Sequence, residues 1–142
     1  MRTLLLRITL TVVIAFQLFF AVLLLAAPAR FAEMLDLPAA PAWTAFLFAL
    51  FSARALGFAY GLALAIRDPF RHRSWIVAMI GVQAIDWIAA IATVASGVVA
   101  LSQVSTASYM PLVFIVAMIG LFPRRRDGAT RAELARPHAR TA

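Results

Sequence analysis

The sequence has no cysteine and no lysine, and its charged residues amount to only 13% of 142. Without cysteine there is no disulfide framework, thiolate zinc site, iron–sulfur cluster or cysteine nucleophile. Histidine is scarce as well. His72 and His138 both stand in charged segments outside every apolar run, which leaves no imidazole to ligate haem or an intramembrane metal. No cofactor and no metal site are expected. The shortage of charge excludes an ordinary soluble domain, in which about 25% of residues are charged and about 45–50% apolar. Here 64% are hydrophobic, so too few polar side chains exist to cover a water-facing surface, and lipid is the implied solvent. A Gly-rich phosphate loop, a nucleophile elbow and an internal repeat are also missing.

What the sequence has instead is long apolar runs. A span needs roughly 20 apolar residues to cross about 30 Å of hydrocarbon. Four stretches qualify, residues 4–27, 42–66, 74–98 and 106–122, and together they make 1–122 one membrane domain. Pro28 stops the first and Arg67-Asp68 the second; Pro111 falls in the first turns of the fourth, and Pro123-Arg124-Arg125-Arg126 closes it. Apolar residues occur all round these segments, unlike the one-sided stripe of a soluble helix. The expected fold is all-α, a four-transmembrane-helix bundle. The first segment also has features of a signal peptide, with Arg2 and Arg7 before it and Ala-Ala-Pro-Ala after it. Its apolar run exceeds the roughly 7–15 residues of a signal core, so a retained span is expected.

Arginine placement gives an orientation. Arg2 and Arg7 flank the first span, Arg67, Arg71 and Arg73 fill the loop between the second and third, and six more follow the fourth. All eleven are cytoplasmic if both termini are inside, while the opposite side keeps only Arg30, balanced by Glu33 and Asp36. Trp43 and Trp75 stand at helix entrances on opposite sides, where indoles favour the interface. Between the first two spans, Pro28 to Pro38 carries Phe31, Met34 and Leu35 on one helical face and charges on the other. That pattern predicts a short helix on the outer membrane surface, either a plain connector or a docking surface. The segment 123–142 is polar and basic and is expected to be a disordered cytoplasmic tail near lipid headgroups, with Thr130 and Glu133 spaced as a capping box. Nucleic-acid binding is not expected, because sorting already accounts for the arginines.

One constellation stands at mid-depth. Arg54 lies 12 residues from either end of its span, about 18 Å from each surface, and Asp86 lies 12 residues into the next. Two charges at matching depth in neighbouring antiparallel helices are expected to pair, since either alone costs about 2.5–3.5 kcal/mol at a span centre. Gln17 is also central in its span, Gln83 is one turn before Asp86, and Trp87 follows directly. Gln17, Arg54, Gln83, Asp86 and Trp87 therefore form a candidate polar cluster. Ala53, Gly57 and Gly61, spaced by four, form a candidate small-xxx-small packing seam. The cluster has two readings: it holds helix register, or it lines a cavity for a small polar or anionic ligand or carries protons.

The chain resembles the DoxX-like group of small bacterial membrane proteins in the order of its features. These are a first span, a Pro-flanked outer segment, Arg54-Ala-Leu-Gly57 in the second span, the Arg67-Asp68-Pro69 turn, and Asp86 in the third. The resemblance implies a four-helix protein of the bacterial inner membrane, associated in some members with a partner redox protein. Two functional expectations follow. One is a non-catalytic accessory or anchoring subunit that contacts a membrane-protein partner or a second copy of itself through a helix face or the tail. The other is a small-molecule, lipid or quinone binding or transport module that uses the Arg54–Asp86 site. An enzyme is not expected, because a lone carboxylate pinned by arginine makes a poor general base.

Overall fold

A computed structural model describes residues 1–123; the remainder of the expected tail, including Thr130 and Glu133, lies outside the described residues. Among the described residues there are five helices and no strand: α1 (Arg2–Ala26), α2 (Pro28–Met34), α3 (Thr44–Arg67), α4 (Arg73–Ala95) and α5 (Ser105–Gly120). α1, α3 and α4 are long and apolar enough to cross a membrane. α5, with 16 residues, extends only about 24 Å at about 1.5 Å per residue.

The helix ends follow from local chemistry. Ala27 leaves helical geometry at φ −147° just before Pro28, whose ring disfavours α conformation in the preceding residue. Pro28 then opens α2 at its first position, where a missing N–H costs nothing. α4 stops at Ala95, three residues short of the sequence expectation. Gly97 takes φ +73°, and the amides of Gly97 and Val98 return to the carbonyls of Val94 and Thr93, a Schellman closure. α2 ends the same way, but Asp36 occupies the left-handed position at φ +51°, with Asp36 and Leu37 bonded back to Glu33 and Ala32. Asp36→Gly is therefore expected to raise stability by about 0.5 kcal/mol, read as a small increase in melting temperature in detergent. A decrease would mean that the carboxylate does more than tolerate its backbone.

One apolar core joins α1, α3, α4 and α5, and it lies at one end of the molecule. Leu6, Leu10 and Val13 of α1 meet Leu62 and Ala65 of α3, Ile76 and Met79 of α4, and Phe114 and Met118 of α5. These residues come from the starts of α1 and α4 and the ends of α3 and α5, so neighbouring helices run antiparallel. Arginines tie that end together. Arg2 Nη2 donates to the carbonyls of Gly120 (3.1 Å) and Phe122 (3.2 Å), and Arg7 Nη2 donates to the carbonyl of Arg67 (3.3 Å). Each guanidinium thus caps the electronegative C-terminus of another helix. Asp68 holds the α3–α4 turn by accepting from the amides of Phe70 (3.2 Å) and Arg71 (3.1 Å).

The close approach on α3 is not where the small-residue spacing placed it. Ala53 and Gly57 are exposed, and no neighbour comes near the Gly57 α-carbon. Gly61 is buried, covered by the Trp75 indole, which also packs edge-on against Phe58 at 6.1 Å. Trp75 is therefore a half-buried packing residue as well as one at a helix entrance. The tight face of α3 is Ser52, Ala55 and Ala59, all buried, and the Ser52 hydroxyl lies 3.0 Å from the Ala21 carbonyl of α1. Small side chains there let the two backbones approach. The outer surfaces of the helices are apolar, with Phe19, Phe46, Leu50, Ile85 and Val116 among the side chains more than half exposed.

Candidate functional site

The core fills one end of the molecule and leaves the other open. Beyond Val13, Ala55, Met79 and Phe114 the helices line a half-open cavity of about 690 Å³, within the range of about 300–1,000 Å³ found for small-molecule sites. Its walls are mainly aromatic and aliphatic, with Phe16 and Phe20 from α1 and Phe48 and Phe51 from α3. Phe31 of α2 is the roof, edge-on to Phe20 at 6.2 Å and to Phe48 at 6.5 Å. The apolar face of α2, Phe31 with Met34 and Leu35, is thus turned onto the cavity. A latch closes the roof against the α4–α5 loop: Gln103 Nε2 donates to the Asp36 carbonyl, and its Oε1 accepts from the Ala100 amide, both at 2.7 Å.

Polar groups gather at the cavity floor. Gln17 of α1 and Gln83 of α4, 8% and 7% exposed, converge on Met79, with Nε2 to Sδ distances of 3.3 and 3.8 Å. Asp86, one turn further along α4, lines the same cavity. Arg54 Nη2 donates to both carboxylate oxygens of Asp86, at 3.0 and 3.2 Å, and the guanidinium carbon lies 5.0 Å from the centre of the Phe51 ring. That ring offers the cation a negative face. The ion pair is not sealed: the Arg54 and Asp86 side chains keep 39% and 37% of their surface exposed. Arg54 reaches Asp86 across the gap between α3 and α4 from outside the lining.

Against the sequence expectation, the polar cluster separates into two parts. Arg54 and Asp86 form one pair, linking α3 to α4; Gln17 and Gln83 form another unit through a sulfur, linking α1 to α4. No hydrogen bond joins the two parts among the described residues. Trp87 belongs to neither. Its Nε1 donates to the Ser108 carbonyl at 2.9 Å and fastens α4 to the first turns of α5. That stretch is loosened by Pro111, which lacks the amide that would bond the carbonyl four residues earlier.

No family model, curated protein or solved structure matches this chain. The function must be argued from the site's geometry.

Sequence reasoning missed Met79 and the cavity. A thioether between two glutamines carries no sequence signal, because methionine at helical spacing reads as core. The phenylalanines offered a faint one. Phe16, Phe20, Phe48 and Phe51 repeat at three- and four-residue spacing within two spans, marking two aromatic faces but not whether those faces touch or stand apart.

Proposed function

We propose that this is a four-span membrane protein, with both termini and the arginine-rich end on the cytoplasmic side, that holds a hydrophobic small molecule in the cavity under α2. The cavity is the observation that carries the reading: it is mostly apolar and has a few convergent polar groups at mid-depth. A chain that enters from the bilayer leaves hydrocarbon as apolar as the cavity wall, so fit to the walls and the polar groups at the floor, not chain length, decide what is held. α5 completes the fourth span in this reading, with Leu121 and Phe122 extending its apolar run. The site is assigned no catalytic step, since its one carboxylate is held by a permanently charged partner.

The expected result is that protein purified in nanodiscs retains a bound apolar molecule, seen as a mass adduct by native mass spectrometry. Filling the cavity with Ala89→Phe and Ala107→Phe, two alanines of its lining, removes that adduct while the melting temperature stays the same or rises. An unfilled native protein, together with full cellular function of the filled variant, would overturn the proposal.

A second reading is supported by the half-exposed Arg54–Asp86 pair, with exposed Ala53 and Gly57 beside it on α3. A charged pair facing hydrocarbon is costly, and a helix of a partner subunit or of a second copy laid over this small-residue face would cover it. This is the accessory-subunit reading. Copurification of a stoichiometric membrane protein, lost on Gly57→Leu, would favour it over the ligand reading.

A further inference from the structure

We infer that the cavity selects a neutral amphiphile whose head group donates a hydrogen bond, an alcohol or a hydroquinone, over an anion of the same chain length. The inference rests on the ligand-binding reading above and concerns the head group alone. Gln17 and Gln83 are each more than nine-tenths buried, and both turn a carboxamide nitrogen toward Met79 Sδ. A thioether sulfur is a weak acceptor with no proton to give, so this orientation leaves the carboxamide oxygens free. Neither oxygen has a hydrogen-bond partner among the described residues. Nor is either sealed away, because no fully enclosed side-chain nitrogen or oxygen among the described residues lacks a partner. Both residues line the cavity, so it is open space next to them.

The floor thus presents two unpaired acceptor oxygens beside a carboxylate. Among the described residues the nearby cation is Arg54, which stands outside the lining and already donates to both Asp86 oxygens. A carboxylate or phosphate head group would meet acceptors and a negative charge. A hydroxyl would supply the donor that the two glutamines lack. Because a buried acceptor left unpaired is costly, the match is worth about a tenfold difference in affinity. Polar side chains at the loop end, Ser102 and Thr106, also line the cavity, but they stand at its mouth, where water can satisfy them. The deep end sets the preference.

The test compares three probes of one chain length on the intact protein in nanodiscs at neutral pH: dodecanol, its methyl ether, and dodecanoate. Native mass spectrometry and thermal shift are expected to rank dodecanol about tenfold above the ether, with dodecanoate weakest. Gln17→Leu combined with Gln83→Leu brings the alcohol down to the level of the ether. The wild-type comparison of alcohol with ether decides the matter even if that variant fails to fold. Equal binding of alcohol and ether, or tighter binding of dodecanoate, would overturn the head-group inference and leave the cavity reading standing. Binding of none of the three, with no retained adduct, would sink both.

Discussion

Asp86→Ala is expected to lower stability by about 2–3 kcal/mol, against about 1 kcal/mol for Asp68→Ala. The two aspartates differ in what their loss leaves behind. Asp68 accepts from two backbone amides in the α3–α4 turn, at the arginine-rich end, where water can replace it. Asp86 is the ionic partner of Arg54, and its removal strands a guanidinium near the middle of an apolar helix, about 15 Å from its start and about 20 Å from its end. The arginine cannot lose its charge. In the four-span reading the exposed side of Arg54, which stands outside the cavity lining, faces hydrocarbon and gains no relief there. Thermal unfolding in one detergent checks the ranking. The double replacement Arg54→Leu with Asp86→Leu should recover most of the loss, since it removes both charges together. Equal shifts for Asp86→Ala and Asp68→Ala would mean that Arg54 has water or another anion within reach.

Two glycines one turn apart on α3 should respond with opposite signs. A methyl group on Gly61 would run into the Trp75 ring, and that ring is held in turn against Phe58. Gly61→Ala is expected to cost about 1–3 kcal/mol, the usual penalty for overpacking. At Gly57 nothing stands near the added carbon, and the helix interior prefers alanine to glycine by up to about 1 kcal/mol. Gly57→Ala should therefore be neutral or stabilising in the isolated protein. The paired melting temperatures check both statements. A loss at Gly57 comparable to that at Gly61 would reveal a second helix packed on the exposed face of α3, as the accessory-subunit reading requires.

These two glycines also show where sequence reasoning succeeded and where it stopped. Spacing by four placed Ala53, Gly57 and Gly61 on one stripe of a helix, which is correct geometry for that helix. It could not say which part of the stripe a neighbour would cover. α3 is apolar on every side, so no polar face identifies its outside, and its close packing against α1 fell to Ser52, Ala55 and Ala59 instead. Arg54 and Asp86 were legible because charge in an apolar run is rare and its depth follows from counting residues. Gln17 and Gln83 were legible as mid-depth polar residues, but their meeting at Met79 was not, because rotation about each helix axis is a tertiary matter.

The sequence by itself determined that the chain is helical and membrane-like, where its long helices begin and end to within a few residues, and which few polar groups lie deep within them. Those properties depend on hydrophobicity, on proline and glycine, and on the fixed rise of a helix, all of which are local. Only the tertiary structure decided that the helices close into a core at the arginine-capped end and stand apart at the other, with Phe31 and Gln103 covering the space between. Side chains that are all apolar are nearly interchangeable in lipid. Their volumes and the rotation of each helix therefore decide which interfaces fill and which remain a cavity.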